Sequence, residues 1–392
     1  MDITLGSGAG AGLYVSGGVF VARDVEISDQ LLEVSGSAYE VVSGTGAGAH
    51  IFADSIDIDG FTLLRNNLLG GLNSGLSGGG AYLLAYGDVD ARNIVVMDNL
   101  AEGGDSADGG GLILVFGGTL SDIVAQDNAA ISGSATGAGI SFSSSAPALL
   151  ERATVSGNVT EGRRISDGAG LAVRYGADVI VRQSTIADNR AEGTGIGNGR
   201  GAGAAVDSYL GSASMVCENV IFSGNVAAGS SAYGGAIAVL QGADVTLINS
   251  DLVANSAEAT SAKARGGHLW IEEGDLTLSN SQLISGSLSG PDVDGGAIAA
   301  PSFGAVGRYD VSWSNFYDNP VPAYDFVADP AGLVGNINAD PAYTSVAGLD
   351  SLSWDLHLLA GSPAIDAGDP LTLDLDGSTA DLGAYGGPDS AW

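Results

Sequence analysis

Apolar and polar residues alternate with a period of two in short runs along most of the chain, the signature of strands that bury one face. The runs are rich in Val, Ile, Gly, Asn and Ser and lack the 3.6-residue spacing of good helix formers, so helix is disfavoured throughout. The alternation is itself periodic. A four-residue word, Gly then Ala or Gly then as a rule a small residue then an aliphatic one, starts at Gly10, Gly46, Gly78, Gly109, Gly137, Gly168, Gly201, Gly234, Gly266 and Gly295, at intervals of 28–36 residues. Five residues beyond each start stand Val15, Ile51, Leu83, Leu114, Phe142, Val173, Val206, Val239, Ile271 and Ala300, all apolar. About twenty residues after each start comes a second column, Gln30, Asn66, Asn99, Asn128, Asn158, Asn189, Asn225, Asn255, Gly286 and Asn319. Three residues before it stand a further set, from Ile27 and Leu63 to Leu283 and Phe316, expected to face inward by the same alternation.

A unit of roughly 30 residues with about three short strands cannot bury its own apolar stripe, whereas stacked copies close a continuous core. The chain therefore reads as all-β: a right-handed parallel β-helix of about ten coils over residues 1–319, then an irregular C-terminal cap over 320–392. At ~4.8 Å per coil, ten coils make a rod of about 50 Å. The eight asparagines of the second column are expected to form a ladder of side-chain amides bonded from coil to coil, at a corner where asparagine tolerates a left-handed backbone. The glycine words suit the opposite corner. The polar stretches between columns, such as 101–108, 160–167, 191–200 and 257–265, read as connectors stacked along one edge. From residue 320 the period stops and seven of the ten prolines fall there. This segment is expected to cover the open end of the rod, with Trp354, Leu356, Leu358 and Leu359 supplying its apolar side chains.

Composition then narrows the partners. Sixty-three glycines in 392 residues raise the possibility of disorder or collagen, but a 45% apolar content, ten prolines and no three-residue glycine period exclude both. Forty-six acidic against thirteen basic residues give a net charge of −33, a field that repels nucleic acid and anionic membranes and leaves cations and neutral glycans. No stretch of 18 uncharged apolar residues predicts a membrane span, and the rod is expected to be a monomer. Cys217 stands alone and reads as a buried free thiol.

Candidate chemistry is sparse. Four residues after each starting glycine the side chain is expected to point outward, which makes Tyr14, Tyr82 and Trp270 candidates for stacking on sugar rings. Asp374, Asp376 and Asp381 around Gly377 are candidate calcium ligands, and the same loop also reads as an Asx-turn closing the cap. Asp98 and Asp127, each just before the ladder on adjacent coils, offer a weak divalent-cation edge or a plain solvated one. Arg174 and Asp207, six after the glycine on neighbouring coils, read as a cross-coil ion pair. No catalytic residue is assigned: His50, His268 and His357 lie far apart in the register, and no carboxylate cluster falls at one coil height. The rival class is a calcium-dependent polysaccharide lyase or a glycoside hydrolase of the pectin-lyase-like fold.

The words Gly234-Gly235-Ala236-Ile237 and Gly295-Gly296-Ala297-Ile298, with Phe222-x-x-Asn225 and Phe316-x-x-Asn319, resemble the GGAI and FxxN repeats of chlamydial polymorphic outer membrane proteins and related bacterial β-helix proteins, over about residues 10–319. The tail resembles the choice-of-anchor Q domain of bacterial surface proteins in Asp340-Pro341, Ser362-Pro363-Ala364-Ile365-Asp366-Ala367-Gly368, Asp374-Leu375-Asp376-Gly377 and Asp381-Leu382-Gly383-Ala384-Tyr385. The resemblance implies export and display at a cell surface. Residues 1–30 carry no signal-peptide pattern and no anchor precedes Trp392, so the natural chain is expected to extend further. The expected role is a non-catalytic extracellular adhesion or spacer protein, with carbohydrate on a host or neighbouring cell as the candidate ligand.

Overall fold

In the computed structural model, which describes residues 2–5, 8–35, 42–71, 73–302 and 304–392, each alternating run pairs in parallel with its equivalent one repeat later. Ala81–Ala85 lies between Ala49–Ala53 and Leu112–Val115, with Leu83 opposite Ile51 and Leu114. The result is a parallel β-solenoid of about nine turns. Its walls are sheets of 11, 14 and 18 strands among the described residues. The inward columns behave as the alternation predicts: Ile51, Leu83, Val173 and Ile271, and likewise Leu63, Val155 and Leu283, are fully buried. Val15 and Ile27, on the first coil, are only half-buried because one side of that rung is uncovered.

Asn66, Asn99, Asn128, Asn158, Asn189, Asn225 and Asn255 form one continuous ladder. Nδ2 of each donates to Oδ1 of the next at 2.9–3.0 Å. The same oxygen accepts the backbone N–H of the preceding asparagine, as Asn128 Oδ1 does from Asn99, and the second Nδ2 hydrogen reaches a carbonyl one coil back, as Asn128 does to Val96. All seven are buried, so every polar atom of the amide is used where water is absent.

The left-handed residue is not the asparagine, as expected from sequence, but the one before it. Asp29, Arg65, Asp98, Asp127, Asp188 and Asp318 take φ of 52–57°, and glycine holds the position at 157 and 224. The asparagine commits its amide inward, so the turn passes to an exposed neighbour, where aspartate tolerates the conformation. The glycine words sit where expected: all ten starting glycines have φ of 53–75°. A second left-handed column, unmarked by any one residue type, lies six before the ladder at Asp24, Asn93, Asp122, Arg152, Gln183, Asn219, Asn249 and Asn280, and it bends the 14-stranded sheet.

The ladder is interrupted once, at Gly286. The gap is filled by the imidazole of His268, at a word position that is glycine or alanine in every other copy. Nδ1 of His268 lies 3.2 Å from Asn255 Nδ2, and beyond it the Gly286 N–H donates to Asn319 Oδ1 at 2.9 Å. A Cβ on residue 286 would stand 2.8 Å from the ring, so the missing side chain is what admits it.

The supposed connectors are strands. Leu100–Glu102, Ser106–Asp108, Val159–Asp167 and Ser256–Ala259 belong to the 18-stranded sheet. Their inward residues are small, Ala101, Ala107 and Ala257 in three of them and Thr160 and Ser166 in the other, with Ala191 following in the strand Arg190–Gly193, each buried, which makes a core wall look like a loop in composition. The wall is narrow: a Cβ on Gly199 would lie 2.2 and 2.3 Å from the carbonyls of Ala191 and Ala228.

The tail also departs from expectation. Residues 320–340 close the end of the rod, where Tyr324–Asp325 adds a last strand to the 11-stranded sheet and Val327 packs on the core. Residues 341–392 instead run along the flank of the 14-stranded sheet. Leu356 and Ala384 cover Ile221, Val253 and Ile284, with Trp354 beside them, whereas Leu358 is half-buried and Leu359 is exposed. Those outward positions are apolar on these coils and need a cover.

Asp251 fastens this strap. It is fully buried and accepts from Tyr343 Oη at 2.6 Å, Gln282 Nε2 at 3.1 Å and the Ala384 N–H at 2.8 Å. Asp251→Ala leaves three donors without an acceptor, each costing about 1–3 kcal/mol. The expected result is rapid proteolysis within 341–392 at temperatures below the melting of the solenoid; uncut tail under the same protease contradicts this role.

Candidate functional site

The 18-stranded and 11-stranded sheets meet at the glycine corner, and the turn folds their outer faces toward each other into a crease. Contacts across it show the geometry. Thr45 Oγ1 meets His50 Nδ1 at 2.9 Å, Asp108 meets Arg174 at 3.5 Å, and Arg265 meets Asp325 at 3.2 Å. The column four after each glycine is therefore only partly exposed. Ile113, Ser141, Ala172, Ala205, Ala238 and Ala299 are buried in the crease, which corrects the expected outward row.

The three predicted aromatics have different fates. Tyr14 is 58% exposed and Tyr82 half-buried, but both stack on the intervening His50, with centroids 5.2 Å apart and interplanar angles of 13° and 5°. Their faces are spent on one another, so only the outer face of Tyr14 is open. Burial pushes the His50 pKa down. Trp270 is 7% exposed, seated between the small neighbours Ala238 and Ala299 in register, and carries Tyr233 at 4.7 Å.

Midway along the crease, Arg174 pairs with Asp108 rather than with its register neighbour Asp207. Asp108 is half-buried, and desolvation pushes its carboxyl up while Arg174 opposes the shift. The Asp207 carboxylate accepts the Tyr209 N–H of its own loop at 3.0 Å.

Toward the C-terminal end the crease opens into a groove of about 750 Å³, lined by Arg200, Tyr233, Lys263, Arg265, Trp270, Glu272, Glu273 and Asp325. Arg200 is held by both oxygens of Asp167 at 2.7 Å and by Glu272 at 3.3 Å. Burial works against its charge, but Asp167 and Glu272 more than offset that and hold the guanidinium protonated. Arg265 meets Asp292 at 2.8 Å, Asp294 at 3.1 Å and Asp325 at 3.2 Å. Lys263, the chain's single lysine, makes no ion pair among the described residues. The groove thus presents an aromatic ring flanked by donors and acceptors already fixed in place.

Of these residues the sequence reading singled out Trp270 alone. The available signal was the residue just before each glycine word, which is Thr45 and Ser77 early but Asp167, Arg200, Tyr233, Arg265 and Asp294 later.

The candidate calcium ligands serve the tail's own turns. Asp374 accepts the N–H groups of Asp381 and Gly387, Asp376 accepts from Ser378, and Asp381 accepts from Asp366 at 2.8 Å. Desolvation raises the pKa of Asp374 and Asp381, whereas the Ser378 hydroxyl lowers that of Asp376. Among the described residues no group of three His, Cys, Asp or Glu side chains is disposed to hold a metal. Asp98 and Asp127 lie one coil apart, and Asp127 accepts from Gln126 at 3.0 Å. Cys217 is buried, which raises its pKa and leaves the thiol protonated and unreactive. No helix is long and apolar enough to cross a membrane among the described residues.

Comparison with known proteins finds no family model, no curated protein and no solved structure that matches the chain.

Proposed function

We propose that the protein is a non-catalytic extracellular module that binds carbohydrate in the C-terminal groove of the crease. The observation that carries this reading is the Tyr233–Trp270 pair, set between Arg200 and Arg265 whose guanidiniums are already oriented by carboxylates. An aromatic face with fixed polar groups around it suits a sugar ring, which stacks its C–H face and bonds through its rim of hydroxyls. The net charge of −33 keeps such a rod dispersed and turns polyanions away. The resemblance of the repeat words to those of polymorphic outer membrane proteins, and of the tail to the choice-of-anchor Q domain, supports export and surface display. Glu272 and Asp325 are engaged with arginines, which favours binding over hydrolysis by a free pair of carboxylates.

In a glycan screen followed by calorimetry, Tyr233→Ala is expected to weaken binding at least about tenfold, while Tyr82→Ala leaves it unchanged. Binding insensitive to Tyr233 removes the groove from the account. Release of reducing ends or unsaturated products, with or without calcium, would make the protein an enzyme instead.

A further inference from the structure

We infer that the groove takes an unbranched, uncharged glycan chain extended along the rod axis with one sugar ring per coil, a step that rests on the carbohydrate-binding reading. The groove wall is a register series. Arg200 stands opposite Tyr233, and Tyr233 opposite Arg265, each on the next coil; on the facing wall Trp270 and, two coils further on, Asp325 line the groove, with the buried Ala299 between them in register. Side chains that meet the ligand therefore recur at the coil advance of ~4.8 Å, close to the length of one pyranose ring in an extended chain. A compact or branched saccharide would meet only one or two of these levels.

The charges select against acidic sugars. Arg200, Lys263 and Arg265 line the groove together with Glu272, Glu273 and Asp325, so its formal charge is zero. A uronate or sulfate at either arginine would have to displace Asp167 from Arg200, or Asp292 and Asp294 from Arg265, which leaves Lys263 as the one lining cation free to meet it among the described residues, inside a chain of net charge −33. Hydroxyl groups, in contrast, can donate to the free lone pairs of the paired carboxylates and accept from the N–H groups that Arg200 has left without breaking a pair, whereas the five N–H groups of Arg265 are already taken. Tyr233, in the middle of the series, is the stacking platform, and the lined length corresponds to about four rings at ~4.8 Å each.

The test is calorimetric titration of the whole chain with cello- and xylo-oligosaccharides of increasing length, with maltose-type and galacturonate oligomers as comparisons. Kd is expected to fall at least about tenfold from the disaccharide to the tetrasaccharide and to change by less than about twofold beyond it. In Tyr233→Ala and Tyr233→Leu, both checked for unchanged melting, that length dependence is expected to flatten. Equal affinity along the series, or tighter binding of the curled maltose-type or acidic oligomers, overturns this inference and leaves the carbohydrate reading standing. Failure of every saccharide to bind overturns both.

Discussion

Asn128→Ala is expected to destabilise the solenoid by about 4 kcal/mol, from a side chain that touches no ligand. The amide of Asn128 accepts from the backbone N–H of Asn99 at 3.1 Å and from Asn99 Nδ2 at 2.9 Å, and donates to Val96 and Asn158. Its removal strands two donors at a fully buried site, at about 1–3 kcal/mol each, and adds a small cavity. Asn319, beyond the His268 interruption, holds the Gly286 N–H and the Leu283 carbonyl and is half-buried, so Asn319→Ala is expected to cost less, about 2 kcal/mol. Each coil of a solenoid depends chiefly on its neighbours, so the loss should be read locally, by hydrogen exchange of the coils around Asn99 and Asn158, as well as in urea melts. A cost under about 1 kcal/mol for Asn128→Ala contradicts the ladder's role.

The second large effect is on pH dependence, where two buried groups act with opposite signs. Burial lowers the His268 pKa from 6.5 to about 3, against weaker support from Asn319 and Ile284. Between those values the unfolded chain binds the extra proton, so His268 removes stability as the pH falls through the window, on the order of 5 kcal/mol in all. Burial raises the Asp251 carboxyl from 3.8 to about 6, with Tyr343, Ala384 and Gln282 opposing. Here the folded chain binds the extra proton, so acidification from about 6 to 4 adds stability, up to about 3 kcal/mol. The two contributions offset each other between about pH 6 and 4 and separate on substitution. Relative to wild type, His268→Gln is expected to gain stability steadily from about pH 6 to 4, and Asp251→Asn to lose it, with slopes approaching about 1.4 kcal/mol per pH unit. Parallel pH profiles for all three proteins contradict both assignments.

The parts of the structure that repeat with one residue type were legible in the chain. Asparagine at a buried, fully bonded position has no substitute of equal shape, and glycine at φ above 50° has few, so the glycine column holds in all ten copies and the asparagine column in all but those at Gln30 and Gly286, and together they mark the period. The second bend was not legible, because Asp24, Arg152, Gln183 and Asn249 share only a tolerance of left-handed φ. The alanine wall passed for connector since Ala101 or Ala257 suffices where two backbones approach closely. The groove was hidden for another reason. Tyr233 and Trp270 sit 37 places apart and belong to different sheets, and only the fold across the glycine corner brings their rings within 4.7 Å. The flank strap depends likewise on Asp251 meeting Tyr343 and Ala384, contacts that no local pattern announces.

The most direct test of the stacked register is the exchange of asparagine side-chain amide protons, followed by NMR with assignment of the Nδ2 resonances. The amides of Asn66, Asn99, Asn128, Asn158, Asn189, Asn225 and Asn255 are expected to exchange orders of magnitude more slowly than that of the exposed Asn93, and the first six to show couplings across the hydrogen bond to the next residue's Oδ1. Seven amides exchanging as fast as Asn93, with no such couplings, would contradict the solenoid register and every surface assignment built on it.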